Sequence, residues 1–492
     1  MSGDLDGTPK TADWAAAICG VPKDTITGLA IKMAKSRTMI SVSWSLTRQD
    51  HGEQTFWAAI AVAAMLGQIG LPGGGFGFGY SATNYIGGHY TVPPAASFPQ
   101  GKNPIDSFIP VARISDLLLH PNKEFDFNGK KYRYPDIKVV YWAGGNPFHH
   151  HQDLSRLMKG WRKPETIICH EWCWNSLAKR SDIVLPCTTP LERKDIAITP
   201  KDPYVVSMSK LVEPYAKSRN DYDIFTGISR AMGIEKEFTE GHTDESWQRK
   251  IYEETFRKAI DAELEMPNYE DFLAKGWFKF EDPIHPIIML KDFRDDPEKN
   301  RLSTPSGKIE IFSSKVASFG YEDCPGYPFW TEPVEWLGST DKKHMLHLIS
   351  NQPKNKLHSQ LDHGSFSRSA KINGREPIHI NLEDAKERNL KEKDVVQVFN
   401  ARGSCFAAIR IDKNVMKGVV QMTTGAWYDP LDPGDINSPC KNGNPNVLTL
   451  DKGTSKLGQG PIAHTCLVDI KLAPKDVPCV SAYEPPEIIR NE

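Results

Sequence analysis

The stretch Ile137-Lys-Val-Val-Tyr-Trp-Ala-Gly-Gly-Asn-Pro-Phe-His-His-His-Gln-Asp153 decides how the first half of this sequence is read. Residues 137–142 form a short apolar run rich in β-branched and aromatic side chains, the pattern of a buried strand. The run ends in two glycines, where a backbone can turn tightly and come close to a ligand. Asn146 follows, offering both a donor and an acceptor at the carboxy end of that strand. The consecutive His149, His150 and His151 invite a metal reading, but neighbouring side chains do not converge on one ion as i, i+4 pairs on a helix do. A polar helix start is the simpler account of them.

Working outward from that strand, the spacing predicts a helix over 152–160, a strand over 166–169, a short helix near 175–179 and a strand over 182–185. Upstream, Thr11 or Asp13 can cap a short Trp-Ala-Ala-Ala helix. A helix over 24–34 would place Ile26, Leu29, Ala30 and Met33 on one face. A strand over 38–44 and a helix over 56–66 come next, then a glycine-rich loop over 71–80. The apolar run 56–66 is too short to cross a bilayer and reads as a buried helix. Strands alternating with helices imply a parallel sheet covered on both faces, with ligands at the carboxy ends of its strands.

The text changes twice more. Residues 236–341 are irregular, with a helical run over 244–263 and one strand over 308–312, and read as a bridge. From His344 the period shortens to strands over 345–350, 378–380, 395–399, 405–411, 419–423 and 465–470, with a hairpin turn at 400–403 and a helix over 382–388. Many short strands of this kind predict a closed β-barrel. The expected organisation is an α/β parallel-sheet region over 1–341, including the bridge, and a barrel domain over 342–492.

Composition narrows the partners. The 492 residues are 25% charged and 39% hydrophobic, with a formal net charge of −2, so no global basic field attracts nucleic acid or an anionic membrane. The 9 cysteines are scattered without a C-x-x-C pair, which argues against a disulfide framework, a structural zinc or an iron–sulfur cluster. A nicotinamide fingerprint is excluded because the glycines at 73–79 follow a helix, not a strand. Glu171, an acid just after a parallel strand, is placed to accept bonds from ribose hydroxyls or a guanine edge. Taken alone, it reads more readily as a solvated loop carboxylate.

Several fragments together carry a resemblance: SWSLTRQDHGEQ (43–54), MLGQIGLPGGGFGFG (65–79), AGGNPFHHHQD (143–153), SDIVLPCTTPLERKDI (181–196) and RNDYDIF (219–225), then LHSQLD (357–362), VFNARG (398–403), GAWYDP (425–430), GNPNVLTLDKGTS (443–455) and AHT (463–465). In this order, along nearly the whole chain, they resemble the molybdenum S-/N-oxide reductases, the family of trimethylamine N-oxide, dimethyl sulfoxide and biotin sulfoxide reductases. The resemblance implies a molybdopterin oxidoreductase α/β region followed by a double-psi-like barrel. It also implies a bis(molybdopterin guanine dinucleotide) molybdenum cofactor. Trp44, Ser45 and Arg48 would face that cofactor, Arg48 suiting a diphosphate or pterin. Asn146, His150, His170, Glu171, Arg193 and Asp221 would line one dinucleotide. Ser350, Asn351, Gln352, His358, Ser359, Gln360, Asn446 and His464 would line the other, pairing the many donors and acceptors of a buried pterin.

The family's metal-ligand serine has no counterpart here, and none of the residues present is expected to act as an acid–base catalyst. The resemblance implies the carboxy-terminal part of an enzyme, soluble and bacterial, in the cytoplasm or periplasm, whose amino-terminal portion lies elsewhere: in an unsequenced extension, in a separate partner chain, or lost in a degenerate product. The substrate would be a small S- or N-oxide, with an electron donor that the sequence leaves unidentified. The rival from another class is a catalytically silent nucleotide-binding or scaffolding subunit that docks a partner chain.

Overall fold

The computed structural model describes residues 3, 7–79, 92–93, 95–199, 202–281, 287–339 and 345–489. The expected domain boundary at 341/342 lies outside the described residues. Three bodies follow one another along the chain.

The first is a small leaf. Helix α1 (Ala12–Cys19) is capped by the Thr11 hydroxyl, which accepts from the Trp14 amide, and ends at a left-handed Gly20. Helix α2 (Lys23–Lys35) leads into strand β1 (Met39–Val42), and a 3₁₀ turn, Trp44–Thr47, precedes helix α3 (Gly52–Met65). The glycine-rich segment expected as loop instead supplies strand β2 (Gly75–Phe78), which pairs in parallel with β1 in the register Met39↔Gly75 to Val42↔Phe78. The face expected to be apolar on α2 meets no cover, and that helix buries no residue. Nor is α3 the buried helix its composition predicts: Ala63 is its one buried apolar side chain, while Val62 and Met65 are 43% and 70% exposed.

The second body holds the quoted stretch. Helix α4 (Ile114–Leu119) and the hairpin β3 (Glu124–Phe127)–β4 (Lys130–Arg133) precede β5 (Val139–Ala143). After β5 come the short helix α5 (Pro147–His150), helix α6 (Leu154–Trp161), strand β6 (Thr166–Glu171) and strand β7 (Ile183–Pro186), a parallel sheet of order β5-β6-β7. Helix α6 forms because Leu154, Leu157, Met158 and Trp161 recur on one face, and all four are buried. Asp153 caps it by accepting from the Arg156 amide at 3.0 Å. The short helix expected at 175–179 is a 3₁₀ turn at Ala178–Arg180.

Beyond β7 the chain is more regular than its composition suggests. Strands β8 (Asp195–Ile198) and β9 (Tyr204–Met208) are followed by helices α7 (Asp221–Ala231), α8 (Glu235–Thr239), α9 (Asp244–Asp261) and α10 (Tyr269–Lys275), then strand β10 (Trp277–Lys279). The strands make an antiparallel sheet β10-β9-β8, and Val205, Tyr252, Tyr269, Phe272 and Phe280 close a core of their own around it. The strand expected over 308–312 does not form; Ile311 and Phe312 stand exposed in an irregular segment.

The third body is a closed six-strand barrel, in the order β11 (Leu346–Ile349), β15 (Val419–Met422), β12 (Pro377–Ile380), β14 (Ser404–Ile411), β13 (Val395–Phe399) and β16 (Leu467–Leu472). Its pairs mix parallel (β11/β15, β12/β14) with antiparallel, and closure leaves no strand edge open. Its interior side chains share one hydrophobic core with α6 and β6. Phe148 and Tyr428 stack across that junction, 6.2 Å apart at 9°, and the Arg180 guanidinium lies within 5.1 Å of both rings. Among the described residues, no helix is long and apolar enough to cross a membrane.

Candidate cofactor cradle between the sheet and the barrel

Strand β5 ends in Gly144 and Gly145, at φ +84° and +80°, values only glycine adopts without strain. The chain then turns on Asn146, whose Oδ1 accepts from the Phe148 amide at 3.0 Å. That bond uses one end of the amide; Asn146 Nδ2 is buried and has no protein partner. The three histidines diverge. His149 Nε2 meets Ser176 Oγ at 3.0 Å with its ring stacked on Trp427, and His151 Nε2 meets Ser115 Oγ at 2.9 Å. Burial drives their pKa values down to about 3 and about 4, so both are neutral packing residues. Only His150 opens toward solvent.

His150 faces a group drawn from distant parts of the chain. Desolvation, then the positive charge of Arg48, and in smaller measure His358, hold its pKa below the usual imidazole value. His464 is lowered to about 4 by desolvation and then Arg48, and its Nδ1 is buried without a partner. The Arg48 guanidinium pairs with no carboxylate among the described residues. Its placement is built by the residues that follow it. The Asp50 amide donates to Thr465 Oγ1 at 2.7 Å, Asp50 pairs with Lys452, and the His464 amide donates to the Arg48 carbonyl at 2.9 Å. Glu53 accepts from Ser455 Oγ at 2.9 Å. Thus DHGE in the leaf rivets Arg48 to the end of the barrel.

The barrel loop after β11 arrives from the other side. Ser350 is buried; the Asn351 side chain is tied to Gln421 (2.7 Å) and to the Gln352 carbonyl (3.1 Å). Gln352, His358 and Gln360 are exposed, and Ser359 gives its carbonyl to Trp427 Nε1 at 2.8 Å. His358 packs so closely on Gly425 that a Cβ there would lie 2.0 Å from the His358 carbonyl oxygen. The loop is anchored by a buried charge cluster. Asp362 meets Lys356 at 2.8 Å and Lys371 at 3.2 Å, both lysines reach Glu376, and Asn442, Tyr483 and the Trp427 amide donate to Asp362. Burial alone would raise the Asp362 carboxyl; Lys371 and Lys356 hold it well below its usual value instead. Asn446 also builds structure: its Nδ2 donates to the His149 carbonyl at 3.0 Å, holding the turn of β5 against the barrel.

A second group lies at the carboxy end of β6. His170 is buried with both ring nitrogens engaged, Nε2 with Tyr141 Oη and Nδ1 with Asp221 Oδ1, each at 2.7 Å, and Phe225 packs on its ring. That leaves Tyr141 and Asp221, both part exposed, as the open ends of a Tyr–His–Asp chain. Beside them burial pushes the Glu171 carboxyl up to about 7, against hydrogen bonds from Asn175 and the Trp172 amide. Arg193 turns to the Thr188 carbonyl at 2.9 Å and toward Asp195 at 3.6 Å. Trp44 stands exposed at the leaf, edge-on to Phe78, and Ser45 bonds Ser43. Sequence reading overlooked Tyr141, Asp50, Glu53 and the Lys356/Lys371/Asp362/Glu376 cluster; the SWSLTRQDHGEQ fragment already contained two of them.

The structure therefore brings together Arg48, Asn146, His150, His358 and His464 between sheet and barrel, and Glu171, His170 and Asp221 in a neighbouring group. Trp142 Nε1, Asn146 Nδ2 and His464 Nδ1 are buried there without protein partners. Leaving each so costs about 1–3 kcal/mol until water or a ligand meets it. Neutral donors around one free guanidinium fit a ligand that combines phosphates with heterocycle edges.

Comparison with known proteins fixes the class. Residues 17–231 match the molybdopterin oxidoreductase family and residues 346–467 the molybdopterin dinucleotide-binding domain, so the chain belongs to the molybdopterin oxidoreductases. That membership indicates molybdenum with molybdopterin guanine dinucleotide as the cofactor, which the orphaned groups fit. Within the family it is 44% identical to a biotin sulfoxide reductase from Cereibacter sphaeroides, over 96% of this chain and 63% of that protein. It is 43% identical to a trimethylamine-N-oxide reductase from Haemophilus influenzae, over 99% of this chain and 61% of that protein. A dimethyl sulfoxide/trimethylamine N-oxide reductase from Cereibacter sphaeroides is 43% identical over 96% of this chain and 59% of its own length. The chain thus spans about three-fifths of these relatives. The solved acetylene hydratase from Pelobacter acetylenicus shares the fold, with a TM-score of 0.54 at 17% identity over 69% of this chain and 45% of that one.

Proposed function

We propose that this chain is the cofactor-gripping part of a molybdenum oxidoreductase that reduces S- or N-oxides, in the manner its relatives' names describe. The observation that carries this reading is the convergence of Arg48, Asn146, His150, His358 and His464, with unpartnered buried atoms, between a parallel sheet and a barrel. When bound, the molybdenum group supplies the two-electron chemistry by which an S- or N-oxide and two protons become a sulfide or amine and water. The chain's own residues hold that group. Arg48 faces its phosphates; Asn146 Nδ2 donates to it; neutral His150 and His464 offer ring nitrogens without adding positive charge. Asp221 and Glu171 accept from the ribose and guanine of one dinucleotide, while His170 orients Asp221 and does not itself touch it. Gln352, His358, Ser359 and Gln360 line the second dinucleotide, with Ser350 and Asn351 shaping their loop. None of these residues is assigned as the metal ligand, and the relatives carry further polypeptide beyond the part matched here.

The test is to express the chain, together with that remaining polypeptide, in a host that makes the cofactor, then to measure molybdenum and acid-released GMP per chain. About two GMP per molybdenum, lost with Arg48→Ala or Asn146→Ala, is the expected result. Absence of both molybdenum and guanine sinks the reading. Bound guanine without dye-linked reduction of any oxide selects the silent scaffolding subunit in its place.

A further inference from the structure

Beyond β16, residues 478–483 are irregular, yet side chains from both the sheet body and the barrel hold them. On the barrel side, Arg375 Nη2 donates to the Pro478 carbonyl at 2.5 Å. Asp429 accepts from the Ser481 amide at 2.8 Å and from the Ser481 hydroxyl at 3.1 Å. On the sheet side, Lys179 Nζ donates to the Ala482 carbonyl at 3.0 Å and to the Ser481 carbonyl at 3.4 Å. Tyr483 then reaches the loop after β11. Its hydroxyl donates to Asp362 Oδ2 at 2.8 Å, and its ring stands edge-on to Trp427 at 5.6 Å. Trp427 donates its amide to the same carboxylate oxygen at 3.1 Å and its indole N–H to the Ser359 carbonyl at 2.8 Å. Burial, then the Asp362 charge, holds the phenol above its usual pKa, so Tyr483 stays a donor. At the other end, the Lys179 amide donates to the Asn175 carbonyl at 3.1 Å, and the Asn175 side chain bonds the Glu171 carboxyl. One short segment therefore joins the support of Glu171 to the support of Ser359 and Gln360, which belong to different bodies.

We infer that residues 478–483 form a strap that couples the two dinucleotide-facing groups, with Tyr483 and Lys179 as its positioning residues. Tyr483 acts through Asp362 and Trp427 to set the loop that carries Ser359 and Gln360. Lys179 acts through the Asn175 turn, so a shift beside Glu171 is carried along the strap to Tyr483. A hydrogen bond onto a buried carboxylate is among the stronger kinds, which suits Tyr483 to transmit that shift. The inference deepens the proposed function by naming what keeps its two halves in register, and it rests on that reading for what the two groups hold. A bond from Ser176 Oγ to the Tyr428 carbonyl at 3.0 Å also links the bodies, so the test has to tell the two routes apart.

Hydrogen exchange is followed in the full chain purified from a host without the cofactor, with the Leu348 and Ile409 amides of the barrel core as the reference for global stability. Tyr483→Phe should speed exchange at the Gln360 and Gly364 amides about tenfold, the loss expected when a charged acceptor is deprived of a donor. Lys179→Met lies in the other body, yet it should speed the same two amides about threefold and add nothing once Tyr483→Phe is present. Unchanged exchange at Gln360 and Gly364 in Tyr483→Phe overturns the strap. So does a Lys179→Met effect that persists in the double variant, which assigns the coupling to Ser176 and Tyr428. In protein isolated with molybdenum, Tyr483→Phe should release guanine at least threefold faster; coupled exchange with unaltered guanine retention overturns the positioning role. Coupled exchange with no guanine in any preparation, wild type included, breaks the functional proposal and leaves the strap supported.

Discussion

The barrel and the leaf use similar residues to opposite effect. Strand β14 buries six consecutive residues, Ser404 to Ile409, because five other strands and the sheet body enclose it. Helices α1 and α2 carry Ala, Ile, Leu and Met at helical spacing and bury nothing. Apolar periodicity says which side a segment wants covered; it does not say that the cover is present. The barrel satisfies itself by closing. The leaf is tied to it by polar rivets at Asp50, Glu53 and Thr465, and to the 287–336 segment through Gln54, Trp57 and Trp14, yet its helices α1 and α2 stay uncovered.

The largest expected effect tests the barrel's side of that contrast. Lys371→Met leaves Asp362 and Glu376 sharing one buried lysine, and breaking such a network by one partner costs about 3–5 kcal/mol. Urea unfolding should show that loss in the cooperative transition of the barrel, with the Gln360 and Gly364 amides, which donate to the Leu357 and Leu361 carbonyls, losing their exchange protection first. A loss under 1 kcal/mol would mean that the loop is held by its backbone alone. Gly425→Ala is the next in size. Gly425 sits at φ +96° with the His358 carbonyl where a Cβ would go, so the loop must move, at a cost of about 2 kcal/mol. The same substitution at Gly28, which has open space around it, should be neutral or stabilising.

How much of this was legible in the sequence depends on how far apart the partners are. The turn at Gly144–Asn146 was readable because two glycines and an asparagine at a strand end do their work locally. The barrel strands were readable from their period. The partners of His170 were not, since Tyr141 and Asp221 lie 29 and 51 residues away. Asp50 gave no signal of its own, because Lys452 is 402 residues distant. Nothing in the sequence marks Lys356 and Lys371 out, and only the folded loop brings both onto Asp362. Strand β10 was lost in the irregular 236–341 stretch, because antiparallel pairing between residues 205 and 278 leaves no local signature.

Glu171 sharpens the contrast at the sheet body. Its folded pKa is about 7 and its unfolded value that of an ordinary glutamate, so the folded state binds the proton more tightly. The stability this contributes is fully present below the unfolded pKa and is lost as pH rises through 7. Glu171→Gln should therefore raise Tm at pH 8, by the equivalent of about 2 kcal/mol, and change little at pH 5. Guanine bound against the carboxylate would reverse the preference, so wild type with cofactor should lose this pH dependence. A Tm gain at pH 5 as large as at pH 8 would show that packing, and not the proton, sets the effect.

The smallest expected change bears hardest on the leaf. Leu29→Ser removes an apolar side chain from α2 that is 56% exposed. Surface positions of that kind shift stability by about 0.5 kcal/mol or less. In a closed core the same truncation would cost several times more, as at Leu348, which is fully buried in the barrel. A loss above 2 kcal/mol at Leu29 would mean that α2 packs against something within this chain, and the contrast with the barrel would fail.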